Sequence, residues 1–167
     1  METHPKHLSL KKRYNSQRFH KIFILNIHRF PGSPHLKTNL EVIQGIYKGD
    51  AEQIAKNLQA ALAPRFDWTE AAGFPYAGTF HTLEEVGMNV FARLSTEWTD
   101  YRAETESFFD AGDTIVVTGY YKGTYRQSGG IMDARFAHIW TFKDGKIVKY
   151  IQNVDTKKVW DAIAGKK

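Results

Sequence analysis

The chain has no cysteine among its 167 residues. That excludes disulfides, a thiol nucleophile and thiolate-bound metal, and it suits a reducing compartment, so a cytoplasmic location is expected. Long hydrophobic runs are also missing. The stretch Ile22 to Ile27 is the one apolar run in the first 35 residues, far short of the roughly 20 residues a membrane span needs. It is short for a secretory signal core as well, and it lacks a small-residue cleavage site. No membrane partner is expected.

Acidic residues are nearly absent from residues 1–35, where Glu2 stands against Lys6, Lys11, Lys12, Arg13, Arg18, Lys21 and Arg29. The remainder carries 16 basic and 17 acidic residues, so the net charge of +5 belongs to this leading segment. No electrostatic footprint for nucleic acid is left over the rest of the chain, and no nucleic-acid partner is expected. Five of the seven histidines lie in the same segment. Residues 1–35 read first as a basic disordered extension or an upstream start outside the functional domain, and second as a segment resembling a transit peptide, and a folded domain is expected over 38–164.

That domain has helices first and strands after. Thr38 and Glu41 form a capping box before Leu40, Val42, Ile43, Ile46 and Tyr47, and Gly49 stops this helix. Asp50 caps a second helix that places Ile54, Leu58, Ala61 and Leu62 on one face, with Pro64 ending it. Phe66 to Glu70 reads as a short strand, followed by a loop from Ala71 to His81. Thr82 and Glu85 form another capping box, opening a helix with Val86, Val90, Leu94 and Trp98 as its apolar stripe. Strands are then expected at 101–109, 114–126, 134–142 and 147–154, separated by short Asp/Gly and Ser/Gly turns. Asp155 or Thr156 caps a last helix. This pattern is α+β: a curved antiparallel meander with helices on one face.

Alternation along 134–142 puts Ala134, Phe136, His138, Trp140 and Phe142 on one face. A two-residue Asp144-Gly145 turn sets Ile147, Lys149 and Ile151 beside them, whereas a three-residue loop sets Val148, Tyr150 and Gln152 there. Burying Lys149 is costly, so the second register is expected. The resulting patch of Phe136, His138, Trp140, Val148, Tyr150 and Gln152 has the composition of a small-molecule site.

Phe66, Trp68 and Glu70 likewise share a strand face, setting a carboxylate beside two aromatic rings. Desolvation disfavours the carboxylate's charged form and moves its pKa towards neutrality, which is what a proton-abstracting base needs. Reaching solvent at the strand end is the bland alternative for Glu70, and a core histidine satisfied by Gln152 is the bland one for His138. Phe74 and Tyr76, on the following loop, suit an apolar ligand. No His/Asp/Glu cluster has metal-ligand spacing around His138, and His81 is the other histidine outside residues 1–35, so no metal is expected.

The element order, together with Trp-Thr-Glu-Ala-Ala-Gly-Phe-Pro-Tyr-Ala-Gly-Thr at 68–79 and Ala-Arg-Phe-Ala-His-Ile-Trp at 134–140, resembles the SnoaL-like proteins. These belong to the nuclear transport factor 2-like superfamily, which includes ketosteroid isomerase. The resemblance covers about residues 38–164. It implies a cone of curved sheet closed by helices, with a hydrophobic pocket inside, and often a homodimer. Glu70 falls where ketosteroid isomerases carry their aspartate base, but Val42 stands at their first-helix tyrosine. His138 matches the histidine of SnoaL-type polyketide cyclases, while Gln152 stands at their last-strand aspartate.

The expected function is therefore a cofactor-free acid/base enzyme acting on a small apolar carbonyl or cyclic compound, of isomerase, cyclase or dehydratase type. Glu70 and His138 are the catalytic candidates. Gln152, Tyr150, Trp140, Phe136, Trp68, Phe74 and Tyr76 are the substrate-binding ones. The alternative is a non-catalytic ligand-binding or interaction domain of the same fold.

Overall fold

The structure is a computed structural model that describes residues 37–166. The basic segment and its five histidines lie outside the described residues. Helix α1 (Asn39–Ile46) opens on Thr38 with both arms of the expected capping box formed. Asp50 caps α2 (Ala51–Ala61) by accepting from the Gln53 backbone N–H. Strand β1 (Leu62–Glu70) starts four residues earlier than expected, so Leu62 leaves the helix and Pro64 sits within the strand. Pro64 has no N–H to donate, and the pairing of β1 with its parallel neighbour is irregular between Leu62 and Asp67. The loop that follows contains a short strand, β2 (Gly78–Phe80), paired antiparallel to β1.

The third expected helix is three pieces: α3 (Leu83–Val86), a π-helical turn over Gly87–Phe91, and α4 (Ala92–Glu97). Trp98 is not its last apolar residue. It opens β3 (Trp98–Asp110) and is buried there, because its backbone pairs with Tyr125 and its indole N–H donates to the Tyr76 hydroxyl. Strands β4 (Thr114–Tyr125), β5 (Ile131–Lys143) and β6 (Lys146–Val154) complete the expected meander. Asp155 caps α5 (Thr156–Ile163) by accepting from the Lys158 N–H. Among the described residues, six strands form one sheet in the order β2-β1-β6-β5-β4-β3, with β1 and β6 as the parallel pair.

The β5–β6 hairpin combines the two registers considered above. Lys143 and Lys146 pair directly around a two-residue turn, with positive φ at both Asp144 and Gly145 as a type I′ turn requires. The pairing then slips, since Phe142 faces Ile147 while Thr141 faces Lys149. Val148 is the extra residue of this bulge, partly exposed rather than inward as expected. Beyond it Trp140 faces Tyr150 and His138 faces Gln152. Ile147, Tyr150 and Gln152 are all buried, and Lys149 stays outside.

The core runs along the inward face of the sheet, from Phe66 and Trp68 through Ile115, Val117 and Phe136 to Trp140 and Ile147, and is covered by Ile43, Leu58, Val90 and Val159 from the helices. Gly119 sits opposite Phe136 on this face. A Cβ there would lie 2.0 Å from the Glu104 carbonyl oxygen and 2.9 Å from the Phe136 ring. Gly119→Ala is expected to lower stability by about 3 kcal/mol, seen as an earlier urea midpoint with an unchanged slope.

Candidate active site

Among the described residues three polar side chains are buried against the aromatic rings: Glu70, His138 and Gln152, each 3 % exposed. Glu70 ends β1 on the same face as Phe66 and Trp68, as alternation requires. Its Oε1 accepts a 2.7 Å hydrogen bond from the Trp68 indole N–H. That indole is itself held. Its ring lies 4.0 Å from Tyr150, and it meets Trp140 and Phe91 edge-on at 5.6 and 5.8 Å. Glu70 Oε2 is the buried side-chain polar atom that, among the described residues, has no hydrogen-bond partner. Burial raises the Glu70 pKa to about 7, with the Trp68 N–H and, at longer range, the Gln152 amide opposing the shift.

His138 is stacked on Phe136 at 4.0 Å, and both of its ring nitrogens are engaged. Nδ1 is 2.5 Å from Tyr47 Oη, and Nε2 is 2.6 Å from Tyr121 Oη. Each hydroxyl also accepts from a fixed donor: Tyr47 from the Trp140 indole N–H at 3.1 Å, and Tyr121 from the Gln152 amide at 3.0 Å. Gln152 is oriented in turn by the Ala71 N–H, which donates to its Oε1 at 3.2 Å. Burial with no ion partner lowers the His138 pKa to about 3. The ring is neutral at physiological pH.

The hydroxyls of Tyr101, Tyr121 and Tyr150 are held above the usual phenol range by burial first, with the Glu70 charge adding to it. Among the described residues, the hydrogen-bond partners of Glu70, His138 and Gln152 are neutral groups. The arrangement is a carboxylate with one free oxygen, set among neutral hydroxyl, indole and amide donors.

Glu70, His138, Gln152, Tyr150, Trp140, Phe136 and Trp68 are thus brought together. Phe74 borders the cluster, stacked 6.4 Å from Tyr121. Tyr76 is placed differently. Its hydroxyl donates to Glu97 and accepts from Trp98, and the Arg93 guanidinium lies over its ring, so it pins the loop after β1 to α4. Among the described residues no group of three or more His, Asp or Glu side chains is placed to hold a metal ion.

Sequence reading missed Tyr47, Tyr101 and Tyr121. Tyr121 was within reach, because alternation from Ile115 through Val117 and Gly119 places it on the inward face beside Phe136. Tyr47 caps the C-terminal end of α1, five residues beyond Val42, so the first helix does deliver a tyrosine hydroxyl to the interior.

The family model of the SnoaL-like domain matches residues 41–150. The chain belongs to the SnoaL-like family. Solved structures agree with this assignment. A nuclear transport factor 2-like protein from Burkholderia thailandensis E264 is 38 % identical, with a TM-score of 0.72 over 77 % of this chain and 98 % of that one. The fold is shared with TerC, solved co-crystallised with polyporic acid, at 23 % identity and a TM-score of 0.66 over 75 % of this chain and 98 % of that one. It is shared too with a candidate SnoaL-like polyketide cyclase from Jannaschia sp. CCS1, at 16 % identity and a TM-score of 0.64 over 80 % of this chain and all of that one. None of the curated proteins matches the chain.

Opposite pKa shifts at Glu70 and His138 give this SnoaL-like domain a defined pH dependence. Glu70 holds its proton more tightly when folded, so its stabilising contribution is complete below pH 4.5 and lost as pH rises through about 7. His138 holds its proton less tightly when folded, so its contribution is complete above 6.5 and lost as pH falls towards 3. Between pH 4.5 and 6.5 the two slopes oppose each other. Relative to wild type, Glu70→Gln should lose up to about 1.4 kcal/mol per pH unit on acidification through this range, measured as urea midpoints at each pH. Identical pH dependence of the two proteins would show that Glu70 titrates as an ordinary carboxylate.

Proposed function

We propose that the domain is a cofactor-free acid/base enzyme that removes a proton from carbon beside the carbonyl of a small, uncharged, mainly apolar compound. The observation that carries this reading is the free Glu70 Oε2, buried against aromatic rings on a carboxyl whose pKa is raised to about 7. Such a group is ionised often enough near neutral pH to act and basic enough to take a proton from carbon. As the C–H bond breaks, its electron pair moves onto the carbonyl oxygen, and a new O–H bond forms on Glu70. The growing oxyanion is met by the hydroxyl hydrogens around Tyr121, which are already desolvated and oriented.

An uncharged substrate follows from the donor set. A carboxylate or phosphate would be buried beside Glu70 with no Lys or Arg among the cluster's partners to offset it, at a cost of several kcal/mol. From the enolate, return of the proton to another carbon gives isomerisation, attack on a second carbonyl gives cyclisation, and loss of a hydroxyl gives dehydration. All three share the step assigned to Glu70, which suits a family whose fold recurs in a protein named as a candidate polyketide cyclase and in a candidate isomerase from Rhodopseudomonas palustris.

One observation favours a second reading, a binding domain without turnover. His138 has both nitrogens satisfied by protein groups, as a structural histidine does. Incubation with uncharged ketones, enones and lactones in deuterium oxide separates the two readings. The acid/base reading expects deuterium at carbon beside the carbonyl of at least one compound. The exchange rate should rise as pH passes through 7 and fall about 100-fold or more in Glu70→Gln. A compound that raises the melting temperature yet gains no deuterium would identify a binding domain.

A further inference from the structure

Tyr121 has more partners than its oxygen can hold. The Gln152 amide donates to Tyr121 Oη at 3.0 Å, and His138 Nε2 lies 2.6 Å from it. The hydroxyls of Tyr101 and Tyr150 are also directed to this oxygen as hydrogen-bond donors. A phenol gives one hydrogen and accepts at two positions, so it makes three bonds at most. When His138 Nε2 is bare, Tyr121 gives it a hydrogen, and Gln152 leaves one acceptor position for two hydroxyls. When Nε2 carries the ring proton, Gln152 and His138 fill both positions. In either tautomer, at least one of Tyr101 and Tyr150 keeps a hydrogen that Tyr121 does not accept.

The two hydroxyls are not equally placed. The Tyr150 ring is clamped by Trp68 at 4.0 Å and Trp140 at 4.4 Å, with His138 edge-on at 5.2 Å. Tyr101 meets one aromatic ring among the described residues, that of Tyr121 at 5.5 Å, and it stands partly buried on β3, the outermost strand of the sheet. Its inward aim is a local construction. Thr99 pairs with Thr124 and Arg102 with Lys122, so Asp100 and Tyr101 share Gly123 as their opposite residue. Regular pairing onward from the buried Trp98 would turn Asp100 inward and Tyr101 outward. Asp100 instead takes a left-handed backbone with φ of 54° and stays exposed. A Cβ on Gly123 would lie 3.3 Å from Tyr101 Cα, so the missing side chain there gives the bulge its room. Bulges of this kind re-aim side chains beside active sites.

We propose that Tyr101 is the oxyanion donor of this site, its hydroxyl hydrogen turning from Tyr121 to the carbonyl oxygen of the compound that Glu70 deprotonates. The proposal rests on the enolate chemistry assigned to Glu70 above. The proton moves from carbon to Glu70, the electron pair of the C–H bond moves onto the carbonyl oxygen, and Tyr101 keeps its O–H bond throughout. Negative charge thus passes from Glu70 to the substrate oxygen, and no tyrosine is ionised. Burial suits this role, because it holds Tyr101 well above the usual phenol range and so keeps its hydrogen in place. The Glu70 charge is felt at the same hydroxyl. A fixed, desolvated donor binds the oxyanion more strongly than the ketone it came from.

Infrared spectra of cyclohex-2-enone labelled with carbon-13 at its carbonyl, bound to the full-length protein at pH 5, test this. Glu70 is protonated there, so the ligand is held without reacting. In wild type the bound carbonyl should absorb below its frequency in hexane, as a hydrogen-bonded carbonyl does, and Tyr101→Phe should return it most of the way. A bound band at the same frequency in both proteins, or no bound band in wild type, would overturn the proposal. Should Tyr101→Phe not fold, 3-fluorotyrosine in place of Tyr101 keeps the ring and makes its hydroxyl a stronger donor. The band should then move further down, and an unmoved band overturns the proposal. In the deuterium-exchange assay, Tyr101→Phe should slow incorporation about 100-fold. Exchange that depends on Glu70 but is unchanged in Tyr101→Phe would sink the Tyr101 assignment alone. A carbonyl band that depends on Tyr101, without any Glu70-dependent exchange, would sink the Glu70 reading and leave Tyr101 as the donor to a bound carbonyl.

Discussion

One extra residue, Val148, sets the interior of this protein. Without the bulge, the two-residue turn at Asp144 and Gly145 would continue in register and turn Lys149 inward, with Tyr150 and Gln152 facing out. The slip between Thr141 and Phe142 lets Ile147 fill the core near the turn and still brings Tyr150 opposite Trp140 and Gln152 opposite His138. The candidate site depends on those two pairs. Gln152 holds Tyr121 and is itself held by the Ala71 N–H, while Tyr150 is the face on which Trp68 stacks to aim its N–H at Glu70. The parallel pairing of Trp68 with Tyr150 carries the same register across to β1.

What this frame protects is expensive. Holding Glu70 ionised in the interior costs about 3 kcal/mol more than in water, from a pKa moved from 4.5 to about 7. His138 is kept neutral by the same lack of water, and four tyrosine hydroxyls are displaced in the same sense. A core built for stability alone would fill these positions with apolar groups of similar volume. Retaining a carboxylate with a free oxygen at the centre of an aromatic core is the pattern of a site that trades stability for chemistry. Tyr76, Glu97, Arg93 and Trp98 repay part of that cost nearby, closing the loop after β1 onto α4 with neutral and ionic bonds.

Membership of the SnoaL-like family explains the scaffold and leaves the reaction to individual residues. The carboxylate at the end of β1 is in place, and the first helix supplies a hydroxyl from Tyr47 rather than from the position of Val42. Gln152 stands where the resemblance to polyketide cyclases sets an aspartate. An amide cannot take a proton as that aspartate would, but it donates and accepts at once, and here it links Ala71 to Tyr121. On the function proposed above, the acid/base burden then falls on Glu70.

Much of this was legible in the chain alone. Capping boxes at Thr38 and Thr82, Asp50 and Asp155 as caps, and the turns between strands are local signals, and each element they mark is present. Alternation alone placed Glu70 beside Trp68 and His138 between Phe136 and Trp140, because a strand's two faces are fixed by backbone geometry. Pro64 misled as a helix stop because a strand with an irregular pairing also tolerates a residue without an N–H. The partners of His138 came only with the tertiary structure. Tyr47 and Tyr121 lie 91 and 17 residues from it in sequence, and the bulge at Val148 follows from a burial preference summed over the whole hairpin. Local sequence determined which side chains share a face. Which faces meet, and hence which hydroxyls reach the histidine and which carboxylate oxygen is left free, was decided by packing between elements far apart in the chain.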